Sequence, residues 1–382
     1  MACLRVPSIA AMLASFLSAG CGSGASQSSL FSSSEDSDPA AGVAGEGSRP
    51  AAPDAPSAAP ALSTPSAGVS REGEGGSSGL GALTGAGSGA MASAGPSGAA
   101  PGGVAGVGAG DCTTLPAPGD YGAPGPFVDA RMFTNEGPNG NYTLFRPDGS
   151  LGQGGFKHPI ATWGNGIATT PDQYQKTLAL VASHGFVIIA CNDTQAERPC
   201  LSDGLDWLVE QNTAGGVLQG KLDTTREVTI GYSWGGGAAI DAADRPNVKA
   251  TVSLHGMPPR LATAFDDMHA PLLLFTSTGD TFVTAEGYVT PNYEKSKVQT
   301  FYATLNDATA GHLYVVDEGA AVCIGGVLGL GACRTAGQEH APSIAWLRYW
   351  ACGDQNAGRF FFGDDCALCA APWTQPKRKG FP

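Results

Sequence analysis

Between residues 32 and 120 the chain carries no Phe, Trp or Tyr. That gap decides how much of the chain can fold. Residues 22–110 are Gly, Ala, Ser and Pro with scattered charges. Such a stretch cannot bury enough apolar surface to offset the entropy of ordering its backbone. It reads as a disordered tether, taken as residues 22–111, and as a random coil of about 90 residues it would span roughly 50 Å root-mean-square. What is left, residues 112–382, has aromatics throughout and is expected to form one domain of about 270 residues.

The first 21 residues, MACLRVPSIAAMLASFLSAGC, hold one Arg, an apolar run over residues 6–17 and then small residues. This is the layout of a secretory signal, too short and too Ser-rich for a membrane span. The ending LSAGC resembles a bacterial lipobox with Cys21 as the lipidated residue, with Ser18 where such boxes usually carry an aliphatic side chain. A lipid anchor at Cys21 is therefore the one membrane link expected, in a protein of the cell envelope or the exterior. The net charge of −13 disfavours nucleic acid and broad attraction to anionic membranes.

Apart from Cys3 and Cys21, eight cysteines remain: Cys112, Cys191, Cys200, Cys323, Cys333, Cys352, Cys366 and Cys369. An even number in an exported chain points to disulfides. The pairing is not readable from the sequence, and the short-loop guesses are Cys191–Cys200, Cys323–Cys333 and Cys352–Cys366. The Cys366-x-x-Cys369 pair has no second such pair and no neighbouring His, so it reads as structural rather than as redox or zinc chemistry.

The folded part alternates in pattern. HPIATWG, GFVIIACN, REVTIGY, VKATVSLHG, PLLLFTSTGD and KVQTFYATL read as strands. PDQYQKTLALVASHG, LSDGLDWLVEQN, GGGAAIDAAD and APSIAWLRYWA read as helices, the first with Pro171 in its opening turn and Gly185 past its end. Near-continuous apolar strands between helices imply an α/β fold: a mostly parallel central sheet covered by helices on both faces, with YTLFRP adding an antiparallel edge.

One serine stands out. Gly231-Tyr232-Ser233-Trp234-Gly235 lies where a strand gives way to a helix. Small neighbours let the two elements pack closely, and the turn pushes a hydroxyl out at the carboxyl end of the sheet. The helix start aims N–H groups at the same place, so the Trp234 N–H is a natural oxyanion donor. The structural alternative is a serine that merely caps a glycine-rich helix. Ser77 shares the G-x-S-x-G spacing but lies in the tether, an accident in a chain with 56 Gly. A serine nucleophile needs a base, and the base needs an orienting carboxylate. Asp280 ends the strand LLLFTSTGD, and His312 follows KVQTFYATL, in the order Ser, acid, His. The main rival base is His340, ahead of the final helix. His158, His184 and His269 lie before strands or at a far helix end. Asp266, Asp267 and Asp317 are weaker acid candidates, expected in solvent.

These segments resemble the bacterial cutinase-like polyester hydrolases of the α/β-hydrolase fold. LALVASHGFVIIACNDT is similar to that family's L-A-S-H-G-F-V-V segment. GKLDTTREVTIGYSWGGG resembles its G-K-V-D-T-x-R stretch and G-x-S-M-G-G-G elbow. GDTFVTA takes the place of its acid loop, AGHLY of its S-H-F motif, and SIAWLRYW of its last helix. The likeness covers nearly all of residues 120–382. The spacings of 47 positions from Ser233 to Asp280 and 32 from Asp280 to His312 also look like the family's. The resemblance implies a serine carboxylic ester hydrolase, with polyesters or cutin-like esters as substrate, no cofactor and a monomeric state, and a metal is disfavoured because no His-x-His or His-Glu-x-x-His cluster appears. It implies Asn165 as second oxyanion donor beside Trp234, and Gly166, Tyr232, His255 and Met257 around the substrate. Three departures stand out. Asn165 replaces the family's substrate-clamping aromatic residue, Trp234 replaces Met, and His255-Gly256-Met257 replaces the pocket Trp. An insert over residues 322–338 follows His312. On the same fold, small soluble esters are the alternative substrate class, and a non-catalytic binding lipoprotein is the third.

Overall fold

Strands that are apolar at every position need cover on both sides, and the fold supplies it. The computed structural model describes residues 110–323 and 330–381. They belong to one of the chain's two units, Ala92–Pro382. The signal segment, Cys21, Ser77, the tether up to residue 109 and residues 324–329 of the insert lie outside the described residues.

Among the described residues nine strands form one sheet: β1 (Ala130–Glu136), β2 (Tyr142–Pro147), β3 (His158–Gly164), β4 (Val187–Cys191), β5 (Leu222–Tyr232), β6 (Val248–Leu254), β7 (Leu272–Ser277), β8 (Thr300–Leu305) and β9 (Trp373–Lys379). Their spatial order is β1-β2-β4-β3-β5-β6-β7-β8-β9. The six strands β3 to β8 run parallel, while β1, β2 and β9 pair antiparallel at the edges. The helices are α1 (Gln175–Ser183), α2 (Arg198–Ala214), α3 (Trp234–Asp241), α4 (Ala264–Asp267), α5 (Thr290–Lys295) and α6 (His340–Cys352). The period-two alternation of β4 shows how the sheet is covered. Ile188 and Ala190 pack with Leu178 and Val181 of α1 and Ile344 and Leu347 of α6. Val187, Ile189 and Cys191 face the other way, onto Leu201, Leu205 and Leu208 of α2 and Ala238 and Ala239 of α3. This is the α/β-hydrolase architecture expected, and β2 is the antiparallel edge that YTLFRP implies.

Two strands escape a reading by pattern. β1 is half-exposed, and β9, with the sequence WTQPKRK, ends in three cations after a Pro. Both are outermost strands, where charge and Pro blunt an open edge, so neither presents an apolar run. Within β9 the register breaks near Gln375, whose φ is +50°.

Among the described residues there are four disulfides: Cys112–Cys352, Cys191–Cys200, Cys323–Cys333 and Cys366–Cys369. The expected Cys352–Cys366 bridge is corrected, because the end of α6 meets the N-terminal arm and Cys352 takes Cys112 from 240 positions away. Buried Arg348 of α6 fixes the same arm through the carbonyls of Leu115 and Pro116. Closing so long a loop should stabilise by about 2–4 kcal/mol. The Cys112→Ser, Cys352→Ser double variant is therefore expected to melt roughly 5–15 °C lower in a thermal scan. An unchanged Tm would mean that packing around Arg348 alone holds the arm.

The chain leaves β3 toward β4 on one side and returns to β5 on the other. Ligands bind at such a switch point, outside the carboxyl ends of the strands. Asn165 follows β3 there and Ser233 follows β5.

Candidate active site

Ser233 sits between β5 and α3 with φ +54° and ψ −117°, a conformation costly for a residue with a side chain. Backbone hydrogen bonds hold it there. Its N–H donates to Leu254 O over 2.9 Å, and its carbonyl accepts from Met257 N at 2.9 Å and Gly236 N at 3.0 Å. Glycine is required nearby by close approach. A Cβ on Gly231 would run into the Gly235 carbonyl, and one on Gly235 into Gly164 and Asn165. The Ser233 hydroxyl makes no capping bond to α3. The capping alternative therefore fails on geometry.

That hydroxyl instead lies 2.9 Å from His312 Nε2, and His312 Nδ1–H donates to Asp280 Oδ2 over 2.8 Å. Asp280 follows β7, and its Oδ1 accepts the N–H groups of Phe282 at 3.0 Å and Val283 at 2.8 Å. Burial favours the protonated acid, but the neighbouring His312 and the hydrogen bonds from His255 and His312 hold the Asp280 carboxyl well below the usual range. His312 opens a short 3-10 turn, His312–Val315, and Tyr232 OH donates to its backbone carbonyl. The structure thus brings Ser233, His312 and Asp280 together.

The rivals lie elsewhere. His340 Nε2 is 2.9 Å from Thr177 Oγ1, between α6 and α1. His158 bonds Gly152 N and Gly185 O, and His184 bonds Ala123 O. Asp266 pairs with Lys297. Asp317, expected in solvent, is buried instead and accepts the Lys176 N–H at 2.8 Å at the start of α1.

The expected substrate contacts need correction. Of Gly166, Tyr232, His255 and Met257, only Met257 is half-exposed. Gly166 is packed against the Tyr232 ring. Tyr232 is buried beneath the His312 loop, its ring 5.2 Å from the His312 ring. His255 is fully buried, with Nδ1 2.8 Å from Asp280 Oδ2 and Nε2 3.0 Å from Glu339 Oε1. The Asn165 side chain is no clamp either: it accepts from Trp163 Nε1 and donates to Cys191 O. Its backbone carbonyl takes the Gly235 N–H at 2.9 Å, tying the β3 loop to the start of α3. Trp234 is half-buried, with the Arg260 guanidinium 3.6 Å over its ring.

Sequence reasoning missed Glu339, Phe282 and Arg260. Phe282, 5.0 Å from the His312 ring, was within reach because it lies two residues past the acid. Glu339 carried no signal, being a lone acid beside His340 with no motif around it.

Among the described residues, His255, Asp280 and His312 form the one His, Cys, Asp or Glu group with ligand atoms within 4.8 Å of one another. Their 2.8 Å nitrogen–oxygen separations are hydrogen-bond lengths, and each imidazole's other nitrogen faces Ser233 or Glu339. The group reads as a hydrogen-bonded relay.

The buried histidines set a pH dependence. Burial pushes His158, His184 and His340 down to about 4. A folded value below the ordinary 6.5 makes their contribution full above about pH 6.5 and lost as pH falls toward 4. His255 runs the other way. Burial alone would lower it, but the Glu339 charge and the hydrogen bonds to Asp280 and Glu339 raise it to about 10. Its contribution is full below about pH 6.5 and lost as pH rises through 10. Thermal melts should therefore give a maximal Tm close to neutrality, falling toward both pH 4 and pH 10. A Tm still rising at about pH 9 would contradict this.

Residues 172–363, half of the chain, match a family described as PET hydrolase-like. Cutinase est1 of Thermobifida alba is 30% identical over 138 residues, covering 34% of this chain and 45% of that protein. Cutinase 2 of Thermobifida cellulosilytica is 28% identical over 138 residues, 34% of this chain and 51% of its own. Bis(hydroxyethyl) terephthalate hydrolase of Streptomyces coelicolor is 29% identical over 149 residues, 36% of this chain and 46% of its own. The chain thus spans about half the length of the curated relatives it matches.

Proposed function

The chain belongs to the PET hydrolase-like family, and on that premise we propose that it hydrolyses carboxylic esters, polyesters among them, through Ser233, His312 and Asp280. One observation carries the reading: a strained serine at a strand-to-helix turn stands 2.9 Å from an imidazole that an ionised carboxylate orients. Ser233 Oγ attacks the ester carbonyl while His312 Nε2 takes its proton. Asp280 holds the imidazole in the tautomer with the proton on Nδ1 and balances its charge once Nε2 is protonated. The N–H groups of Trp234 and Asn165, which donate to no loop or turn carbonyl among the described residues, face the developing oxyanion; such a donor is typically worth about 10²–10³ in rate. His312 returns the proton to the leaving alcohol, and water cleaves the acyl-enzyme by the same route. No cofactor is needed.

A second substrate class has its own support. Ser233 and His312 are only 2% and 5% exposed, and Asn165 offers no aromatic clamp. Both features suit small soluble esters better than a polymer chain. The test is release of soluble product from an amorphous polyester film by the full chain, normalised to p-nitrophenyl butyrate turnover. Cleavage of both supports the polyester reading, and cleavage of the small ester alone supports the second. If a serine-reactive fluorophosphonate leaves Ser233 unlabelled, neither holds and a binding role takes over.

The chain is further proposed to be an exported monomer, tethered to a membrane by lipid on Cys21. The four disulfides support export. Radiolabelled palmitate should enter the wild type but not Cys21→Ala, and equal labelling of both would reject the anchor.

A further inference from the structure

We propose that Glu339 and His255 extend the Ser233–His312–Asp280 line into a five-membered buried relay, in which His255, protonated on both nitrogens, is a positioning residue for Asp280. The proposal rests on the catalytic reading above and adds two residues to it.

The geometry is specific. His255 lies just past β6 with φ +46°, left-handed for a residue with a side chain, and its N–H is held by Phe275 O at 2.9 Å. That strained backbone delivers an imidazole between two carboxylates, 2.8 Å from Asp280 Oδ2 and 3.0 Å from Glu339 Oε1. Both His255 and Glu339 are fully buried. An ionised carboxylate can only accept a hydrogen bond. With an ionised carboxylate on each side, both ring nitrogens donate, and the ring is an imidazolium. The Glu339 charge and the hydrogen bonds it shares with Asp280 outweigh the burial of His255 and favour its charged form.

The groups facing His255 leave no other source of compensation. They are Asp280 after β7, Glu339 in the turn before α6, His312 with its ring 6.3 Å away, Tyr232 of β5 at 6.5 Å and Tyr314 at 6.3 Å. Among the described residues the Glu339 carboxyl has one hydrogen-bond partner, His255, through Oε1. With His255 charged, Asp280 and Glu339 leave one net negative charge. The imidazolium that forms at His312 during attack neutralises it. With His255 neutral, two carboxylates would share one buried site, a strongly disfavoured state. His255 also completes the set of donors to Asp280. Phe282 and Val283 hold Oδ1, and the two imidazoles share Oδ2, so the carboxylate cannot rotate.

The first test is nitrogen NMR of the wild-type chain labelled with ¹⁵N-histidine, which depends on no variant folding. At about pH 9, well above the ordinary histidine value of 6.5, one of the six histidines should keep both nitrogens protonated. All six neutral at that pH would overturn the proposal. The second test is Glu339→Gln, which keeps shape and a hydrogen bond but removes the charge. The doubly protonated signal should vanish at about pH 9. The value of kcat should fall about 10–100-fold with KM little changed. The acid limb of kcat/KM should move to higher pH, because the His255 charge that leaves with the Glu339 charge shares Asp280 Oδ2 with His312 and no longer opposes the His312 imidazolium. An acid limb that stays in place would reduce Glu339 to a packing contact and overturn the positioning role. Failure of Ser233 to react with a fluorophosphonate would sink the catalytic reading. A chain that labels at Ser233 but shows a neutral His255 sinks this inference alone.

Discussion

Ser233→Ala is expected to lower kcat for p-nitrophenyl butyrate by about 10⁵–10⁶-fold while the protein stays folded. The substitution removes the attacking oxygen and leaves His312 with nothing to deprotonate. The Trp234 and Asn165 N–H groups are backbone and survive, so a residual acceleration of about 10³–10⁴ over water is expected. The fold should tolerate the change. Alanine meets the same left-handed strain as serine at φ +54°, and the lost hydrogen bond was one partner deep. Tm should move by only a few degrees. A variant that kept more than about a hundredth of wild-type kcat would remove Ser233 from the chemistry. His340→Ala is the natural control, since that ring bonds Thr177 and lies apart from Ser233.

The second large effect is expected at the acid. Asp280→Asn keeps the shape of the side chain, yet it should lower kcat by about 10⁴-fold. The reason lies in four donors converging on two oxygens: Phe282 N, Val283 N, His255 and His312. An amide has one oxygen and one NH₂ group. If its oxygen serves the two backbone N–H groups, its NH₂ faces the imidazoles, and His312 can accept at Nδ1 only by moving its proton to Nε2. That proton then points at Ser233, and the base is lost. If the amide flips, its NH₂ collides with two backbone donors. A loss of less than about tenfold would mean that His312 is oriented by other groups, such as Tyr232 beneath it.

Both predictions depend on residues the sequence could point to, and the reason is local. Ser233 is legible because its neighbours must be small where β5 and α3 cross. Asp280 and His312 are legible because each follows an apolar strand, and chain order in this fold limits the choice. The strands β3 to β8 are legible because a strand buried on both faces is apolar at nearly every position. The edge strands β1 and β9 are not, since their partner exists only in three dimensions and their outer sides face water. The Cys112–Cys352 bridge is hidden by its separation of 240 positions. The substrate contacts were misplaced for a similar reason. Tyr232 and His255 stand at the right end of the sheet, but a position at a strand end does not say whether a side chain faces a ligand or the interior.

The sequence by itself determined the α/β class and the family, and it pointed to the bounds of the folding unit and to the serine, acid and base of the proposed chemistry. Each follows from short-range pattern, burial periodicity or chain order. Tertiary structure alone decided that His255 lies behind Asp280, that Glu339 meets it from 84 positions away, and that Asn165 turns its side chain inward. Those outcomes depend on which loops converge beyond the sheet, and a buried charge finds its partner only when such loops pack.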